Sequence, residues 1–255
     1  MHTHKDKIIA IIPARYQSSR FPGKPLHEIA GKSLIQRTFE NSLKCDKLDS
    51  IIIATDDERI LKHVKTFSNN VVMTAIDCLN GTERVLEAIN KTSNNIDKDC
   101  IIINIQGDEP SVSPETIRDI IEALENSDAY MSTGISILEK KEDIENPSIV
   151  KCVINKNNEA LYFSRAAIPH PHKSNNKHTY YKHIGIYAYR YHFLKSYLTL
   201  KNSDLQLTED LEQLKVLEHG YKIKIAIVTD DSIGVDTPAD AQKLEEILCQ
   251  QNSFS

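Results

Sequence analysis

The chain has 255 residues, 40% of them hydrophobic and 26% charged, and its 31 Lys and Arg against 36 Asp and Glu give a net charge of −5. This balance argues against non-specific binding to nucleic acid, and no apolar run approaches the ~20 residues of a membrane span. The five cysteines are widely spaced and form no CxxC pair, so we expect reduced thiols, no zinc site and a cytoplasmic location. A chain of this length fits one domain, and we predict a single domain over residues 1–255.

The first half of the chain alternates short apolar runs with amphipathic segments. Runs rich in Ile and Val predict strands buried on both faces, at Ile8–Ile12, Ile51–Thr55, Val71–Thr74 and Ile101–Ile105. Helical patterns lie between and after them, at Leu34–Leu43, Glu58–Thr66, Thr82–Asn90 and Pro114–Glu125. This alternation predicts a Rossmann-like α/β fold with a mostly parallel central sheet and helices on both faces.

A basic loop follows the first strand, which we expect to end at Pro13. The loop carries three fixed cations, Arg15, Arg20 and Lys24, among prolines and a glycine that stiffen it. Open α/β sheets bind their ligands at the carboxyl ends of the strands. Three held cations there predict a ligand with several negative charges, such as a nucleoside triphosphate. A solvated basic loop is the alternative, and the stiffness of this loop disfavours it.

Two aspartates stand where a predicted strand gives way to a helix. Asp108 follows the strand that ends at Ile105, and Asp236 follows the strand-like segment Lys222–Thr229. Mg²⁺ is usually held by one or two carboxylates together with phosphate oxygens. The pair therefore predicts a metal site opposite the basic loop, although either residue alone could be a simple turn former.

The rest of the chain has a different pattern. Residues 131–190 alternate more and are rich in tyrosine, which predicts antiparallel strands in a small sheet-rich extension. The tyrosines fit either a subunit interface or an ordinary sheet face. Beyond it we expect one helix from Thr208 to Gly220 and a final helix opened by Thr237, Pro238 and Asp240.

Seven sequence blocks in a fixed order resemble the 3-deoxy-D-manno-octulosonate cytidylyltransferases, or CMP-Kdo synthetases. The first reads IPARYQSSRFPGKPL and begins at Ile12. The others are TER from Thr82, QGDEP from Gln106, YFSR from Tyr162, KHIGIY from Lys182, LEQL from Leu211 and GVDTP from Gly234. One block alone would be weak evidence, but together they span nearly the whole chain.

The resemblance implies a nucleotidyltransferase fold and a defined reaction. The anomeric hydroxyl of 3-deoxy-D-manno-octulosonate (Kdo) attacks the α-phosphorus of CTP and gives CMP-Kdo and pyrophosphate, for lipopolysaccharide biosynthesis. Arg15 and Lys24 match the residues that hold the triphosphate and act in catalysis, and Arg20 assists them. Asp108 and Asp236 match the catalytic Mg²⁺ ligands.

The resemblance also implies the remaining binding residues and the assembly. Thr82 falls in the nucleotide-binding set, with the Gly81–Thr82 turn expected near the cytosine. The positions that match sugar-binding residues are Arg84, Gln106, Arg165, His183, Tyr187, Glu212 and Gln213. For His183 we favour a hydrogen bond to the sugar over proton abstraction. Family members are homodimers, and residues 131–190 are our candidate interface; no membrane or nucleic-acid partner is expected.

The sequence departs from the family pattern at one position, and two alternative functions remain open. Members of this family often carry a Glu shortly before the LEQL block, where this chain has Gln206, so fine sugar contacts could differ. A CMP-sialate synthetase shares the fold and the chemistry but differs in the first loop. A non-catalytic nucleotide-sugar-binding relative is the alternative from another class, and the presence of both Asp108 and Asp236 disfavours it.

Overall fold

The structure is a computed structural model that describes residues 7–18, 20–78, 80–92, 96–172, 178–229, 232 and 234–252. These residues form two compact units. The first unit contains the described residues up to Arg118 and those from Ser232 onwards, and the second contains those from Asp119 to Thr229. The prediction of a single domain stays a prediction, and the predicted extension 131–190 falls within the second unit.

The first unit is built on a parallel sheet. Its strands are β1 (Ile8–Ala14), β2 (Glu28–Ile29), β3 (Lys32–Ser33), β4 (Ser50–Thr55), β5 (Val71–Met73) and β6 (Ile101–Asn104). The order is β6-β1-β4-β5, all parallel, while β2 and β3 form a separate antiparallel hairpin. The residues of β1 are buried except Pro13, because helices cover a parallel sheet on both faces. The predicted α/β class with a mostly parallel sheet is confirmed.

Pro13 does not end the first strand, so that prediction was wrong. β1 continues to Ala14, and Pro13 pairs with Ala54 of β4. The pairing of β1 with β6 stops at Ile11. Proline is tolerated here because the missing N–H lies beyond the last pairing with β6, where no ladder bond requires it.

The helices of this region are α1 (Leu34–Ser42), α2 (Glu58–Val64), α3 (Gly81–Thr92) and α4 (Pro114–Glu125), the last of which continues into the second unit. All four predicted helices are confirmed, with ends that differ by a few residues. Side-chain caps set their starts: the Ser33 hydroxyl accepts from the Gln36 N–H, and the Ser113 hydroxyl accepts from the Thr116 N–H at 3.0 Å.

The second unit is mixed. Its elements are β7 (Met131–Leu138), α5 (Lys141–Glu145), β8 (Lys151–Ile154), β9 (Ala160–Ser164), β10 (Tyr180–Arg190), α6 (Tyr191–Tyr197), α7 (Asp204–Glu209), α8 (Glu212–Glu218) and β11 (Ile223–Ile227). β7, β10, β8 and β9 pair antiparallel in that order, which confirms the predicted antiparallel strands of residues 131–190. β11 lies parallel to β7 on its other side.

The helix predicted from Thr208 to Gly220 is confirmed in its second part, where α8 lies, but its start is wrong, because Thr208 belongs to the preceding helix α7. α7 ends at Glu209, and Asp210 adopts a left-handed conformation with φ of 52° before α8 begins. Gln206 has a structural role in α7, since its Oε1 accepts a hydrogen bond from the Ser203 N–H at 3.3 Å. The unusual residue of the sequence therefore caps a helix.

The C-terminal helix α9 (Pro238–Asn252) returns to the first unit. Its Ala241 and Leu244 pack with Ile29 of the hairpin, Leu34 of α1 and Val235 in a buried cluster. Burial of this apolar face fixes the start of α9, and with it the segment that carries Asp236. No helix in the described part of the chain is long and apolar enough to cross a membrane.

Candidate active site

The basic loop after β1 is closed on itself. The Gly23 N–H donates to the Tyr16 carbonyl at 2.9 Å, and Gly23 has a left-handed φ of 72°. A Cβ at Gly23 would come within 3.2 Å of the Tyr16 ring, so both the backbone and the space require glycine. Arg15 is fixed separately, because its Nη2 donates to the Cys78 carbonyl at 3.0 Å. Ser19, within this loop, lies outside the described residues.

A residue of α2 makes a second contact that stabilises the same loop. The guanidinium of Arg59 lies 3.3 Å above the centre of the Tyr16 ring. Asp57 holds that guanidinium with two hydrogen bonds of 2.9 and 2.6 Å. The stacked cation and ring keep Tyr16 in place, and so stabilise the loop between Arg15 and Lys24.

The two predicted carboxylates are brought together by the backbone. The Val235 N–H donates to the Asp108 carbonyl at 2.9 Å, which ties the segment after β6 to the segment before α9. Gly107 lets the segment after β6 lie close against the end of β1, because a Cβ there would lie 2.8 Å from the Pro13 carbonyl. Asp240 also accepts from the Asp236 N–H, at 3.2 Å, within the cap of α9.

Lys24 lies between these carboxylates. Its Nζ is 2.6 Å from Asp108 Oδ2 and 3.4 Å from Asp236 Oδ1. Arg20 forms two parallel hydrogen bonds of 3.0 Å with the Asp236 carboxylate. The two aspartates thus converge on one cation, which is the arrangement that a divalent metal with two carboxylate ligands requires. No group of three or more His, Cys, Asp or Glu side chains suited to a metal occurs among the described residues.

These charged groups line an open cavity of about 400 Å³ in the first unit, within the ~300–1,000 Å³ range of small-molecule sites. Its lining residues are Pro13, Ala14, Arg15, Gln17, Ser18, Arg20, Lys24, Pro25, Leu34, Gly81, Gln106, Gly107, Asp108 and Asp236. The structure therefore brings together Arg15, Arg20, Lys24, Gln106 and both aspartates. Their three cations and two carboxylates leave one net positive charge.

The two predicted binding residues on α3, Thr82 and Arg84, are buried and do not line the cavity. Thr82 is 2% exposed, next to Gly81, which lines the cavity. Arg84 is fully buried; its Nη2 donates to Asp56 at 2.6 Å, and its Nη1 contacts the Thr74 hydroxyl. This geometry favours a structural role for Arg84, and direct sugar binding by it stays a prediction.

Three of the predicted sugar-binding residues form a contiguous group in the second unit. The Tyr187 hydroxyl donates to Gln213 Oε1 at 3.2 Å, and the rings of Tyr187 and His183 are 5.5 Å apart. Gln213 Nε2 is buried and has no hydrogen-bond partner among the described residues. Buried polar atoms are normally paired, so this amide is available to donate a hydrogen bond to a ligand of this group.

Burial determines the protonation states in this group. Desolvation lowers the pKa of His183 to about 3, so its ring is neutral at physiological pH. Desolvation, with the negative charge of Glu212 second, raises the pKa of Tyr187 well above its ordinary value. The pair offers neutral hydrogen-bonding groups, and His183 is too weak a base at this pKa to favour proton abstraction.

The other two predicted residues of this unit lie near the turn between α7 and α8. Arg165 Nε donates to the Glu209 carbonyl at 2.8 Å, and the Glu209 carboxylate accepts from the Arg165 N–H at 2.9 Å. Glu212 is the first residue of α8, next to Gln213. Arg165 is thus held by backbone groups, and Glu209 orients it.

Sequence reasoning missed several residues that shape these sites. Asp56 follows β4 as Asp108 follows β6, so the rule that a carboxylate after a parallel strand marks a site would have found it. Glu209 and the Tyr16–Arg59 stack gave no local signal, because their partners are distant in sequence.

Comparisons of this sequence with known proteins agree on one family. A family model described as cytidylyltransferase matches residues 9–224. A 3-deoxy-manno-octulosonate cytidylyltransferase of Protochlamydia amoebophila is 52% identical, covering 97% of this chain and 96% of the relative. The mitochondrial protein of that name from Arabidopsis thaliana is 46% identical over 97% of this chain and 85% of its own length.

A solved structure agrees with the sequence relatives. The CMP:2-keto-3-deoxy-manno-octonic acid synthetase complexed with CTP has a TM-score of 0.89 and 37% identity, covering 96% of this chain and 99% of its own. The fold is therefore that of a nucleotidyltransferase, as the sequence blocks predicted. The chain belongs to the 3-deoxy-manno-octulosonate cytidylyltransferase family, and the resemblance drawn from its seven blocks is confirmed.

Proposed function

We propose that this protein transfers CMP from CTP to the anomeric hydroxyl of Kdo and releases pyrophosphate. The observation that carries the proposal is the Lys24 ammonium between Asp108 and Asp236, in a cavity that also holds Arg15 and Arg20. Cations and paired carboxylates at one sheet edge suit a nucleoside triphosphate and its metal. The names of the relatives supply the base and the sugar. Use of the product in lipopolysaccharide synthesis stays a prediction.

The cations would act on the phosphates. The hydroxyl oxygen bonds to the α-phosphorus, the bond to the bridging oxygen breaks, and negative charge accumulates on the departing pyrophosphate. Arg15 and Lys24 would bind the triphosphate and neutralise this charge, with Arg20 assisting. Because Tyr16 and Gly23 fix the loop, its backbone needs little reorganisation when the side chains of these cations bind the triphosphate.

We propose Mg²⁺ as the cofactor, held by Asp108 and Asp236. Their convergence on the single Lys24 ammonium supports the fit, because the two carboxylates are already within reach of one cation. When bound, the metal supplies a Lewis acid at the phosphates. Lys24 and Arg20 would then turn from the carboxylates to the triphosphate oxygens.

For the sugar we propose the predicted set, with His183, Tyr187 and Gln213 as its best-supported members. Kdo carries many hydroxyls, and this group offers the buried, unpartnered Gln213 amide beside neutral rings. Arg165 and Glu212 lie on segments beside this group, and Gln106 lines the nucleotide cavity. Direct contacts from Thr82 and Arg84 are the least supported, because both are buried.

We further propose a cytoplasmic homodimer. All five cysteines are free thiols, which suits a reducing compartment. The tyrosine-rich strands of the second unit remain the candidate interface.

Pyrophosphate release tests the function. With CTP and Mg²⁺ we expect release with Kdo and none with N-acetylneuraminate. Asp108→Asn removes one proposed metal ligand, and we expect kcat to fall by at least about 100-fold, the scale of one lost electrostatic contact to the transition state. Asp46→Asn is the matched control, because Asp46 is exposed and pairs with Arg118, and neither residue lines the cavity.

Two results would contradict the proposal. Release with N-acetylneuraminate alone would move the chain to the sialate reaction and remove the proposed sugar set. CTP binding without release from either sugar would favour the non-catalytic alternative.

A further inference from the structure

β10 is irregular between two of the proposed sugar-binding residues. It pairs with β7 in register up to Ile184, opposite Gly134, and the pairing resumes with Tyr187 opposite Thr133. Gly185 and Ile186 are therefore extra residues in β10, and they form a bulge. The bulge sets how His183 on one side and Tyr187 on the other are oriented.

One buried hydroxyl holds this bulge. Thr133 is fully buried, and its Oγ1 lies 2.9 Å from the Ile184 carbonyl and 2.7 Å from the Ile186 carbonyl. The ladder is interrupted there, so the hydroxyl supplies a donor to carbonyls on both sides of the irregularity. Thr133 thus fixes the backbone between the two site residues.

The same hydroxyl also contacts the ring of His183. Thr133 Oγ1 is 3.1 Å from His183 Nε2. A hydroxyl has one proton, and when that proton is shared between the two carbonyls the oxygen is left to accept a hydrogen bond from the ring. This arrangement favours a proton on Nε2, which leaves Nδ1 of the neutral ring as an acceptor. No described residue forms a hydrogen bond with Nδ1.

A sugar hydroxyl needs both an acceptor and a donor. Nδ1 of His183 offers an acceptor, and the unpartnered Nε2 of Gln213 offers a donor; Tyr187 contacts both residues. We propose that Thr133 is a positioning residue of the sugar site: it holds the β10 bulge and keeps His183 in the Nε2–H tautomer, with Nδ1 presented to a substrate hydroxyl. This inference rests on the proposed sugar-binding role of His183.

The tautomer can be measured directly in the protein without substrate. Two-bond ¹H–¹⁵N correlation spectra of the ¹⁵N-histidine-labelled chain distinguish the two tautomers, and a His183→Gln variant assigns the signal. We expect Nε2–H at pH 7.5 in the wild type and in Thr133→Ser, which keeps the hydroxyl. In Thr133→Val, which removes it at similar volume, we expect a mixture or the other tautomer.

Kinetics give the second readout. For Thr133→Val we expect KM for Kdo to rise on the order of tenfold, with KM for CTP unchanged and recovery in Thr133→Ser. Ser132→Ala is the control, because it removes a neighbouring buried hydroxyl that bonds the Ile120 carbonyl at 2.7 Å. A purely structural effect would lower stability in both variants but leave KM for Kdo unchanged.

The possible outcomes distinguish failure of the positioning role of Thr133 from failure of the proposed transferase function. A wild-type His183 protonated on Nδ1, or a Thr133→Val variant with unchanged tautomer and KM, would overturn the inference while Kdo-dependent release persists. If His183→Gln leaves KM for Kdo unchanged, the sugar site at His183 fails, and the positioning role fails with it. If the wild type releases no pyrophosphate with Kdo, the proposed function itself is wrong.

Discussion

Lys24 has two competing sets of partners. Its ammonium contacts both Asp108 and Asp236, and its side chain is only 13% exposed. With Arg20 it balances the charge of the two carboxylates, so a metal ion gains little attraction until the cations leave. A triphosphate would draw them away and so couple metal binding to nucleotide binding.

Removing the ammonium should therefore have opposite effects on the two ligands. For Lys24→Gln we expect kcat/KM for CTP to fall by at least about 100-fold, because a charge-assisted contact to the triphosphate is lost. We use Mn²⁺ as a probe for Mg²⁺. Without nucleotide, we expect Mn²⁺ to bind Lys24→Gln roughly several-fold more tightly than it binds the wild type, because one positive charge that competes for the carboxylates has been removed. Electron paramagnetic resonance titration of free Mn²⁺ measures this.

Lys32→Gln is the matched control for Lys24→Gln. Lys32 is exposed and pairs with Glu40, away from the cavity, so both affinities should match the wild type. Equal Mn²⁺ affinity in the wild type and in Lys24→Gln would show that the ammonium does not compete with metal.

At the scale of elements, helix α3 holds the segment of residues 75–78, and this segment in turn positions Arg15. Glu87 of α3 accepts from the Ala75 N–H at 2.9 Å and from Cys78 Sγ at 3.0 Å, and pairs with Lys91 at 2.7 Å. The carbonyl of the same Cys78 accepts from Arg15. A carboxylate on a helix thus organises a loop, and the loop organises a cation of the site.

The pKa of Glu87 makes this contact dependent on pH. Burial alone would raise the pKa, but hydrogen bonds from Lys91, Cys78 and Ala75 lower it to about 2, from 4.5 in the unfolded chain. A depressed folded-state pKa stabilises the protein above pH 4.5, and that stabilisation is lost as the pH falls toward 2.

We therefore expect Glu87→Gln to lower the free energy of unfolding by about 1 kcal/mol at pH 7. The difference from the wild type should shrink below pH 4.5, as measured by urea denaturation at pH 7, 4.5 and 3.5. Glu145→Gln, in an exposed pair with Lys141, should have little effect at any pH. A Glu87→Gln deficit that stays constant down to pH 3.5 would show that the carboxylate charge is not its cause.

At the scale of the whole molecule, the second unit exposes apolar side chains on its strands. Ile137 is 57% exposed, Leu161 59% and Ile227 46%. Exposed apolar side chains that form one contiguous patch often mark an interface, and Ile137 and Leu161 both lie within the predicted extension 131–190. They support the proposed dimer.

Light scattering coupled to size exclusion should accordingly give twice the mass of one chain for the wild type. We expect Leu161→Lys to shift the protein toward monomer, because it places a charge in an apolar contact. Leu43→Lys is the control, since Leu43 is equally exposed, at 56%, but lies on the first unit. A wild type that is monomeric at tens of micromolar would contradict the proposal.

The sequence predicted best what local patterns dictate. Runs such as Ile101–Ile105 can bury both faces only in a covered sheet, so strands and helices of the first unit were predicted with small errors at their ends. Thr237 and Asp240 form the expected cap, at 2.8 Å between the Thr237 N–H and Asp240 Oδ2. The predicted helix start at Thr208 failed, because the chain breaks between α7 and α8 at the left-handed Asp210, and no glycine or proline marks that break in the sequence.

By itself, the sequence determined the family, the parallel sheet and the identity of the charged groups, because motifs and hydrophobic periodicity are local. Only the tertiary structure decided how they meet. Lys24 lies 84 residues from Asp108 and 212 from Asp236, yet one ammonium contacts both. Arg84 matched a site motif but is buried against Asp56, and Thr133 matched none yet contacts His183. Such contacts depend on which strand lies beside which, and that is settled by burial of the whole core.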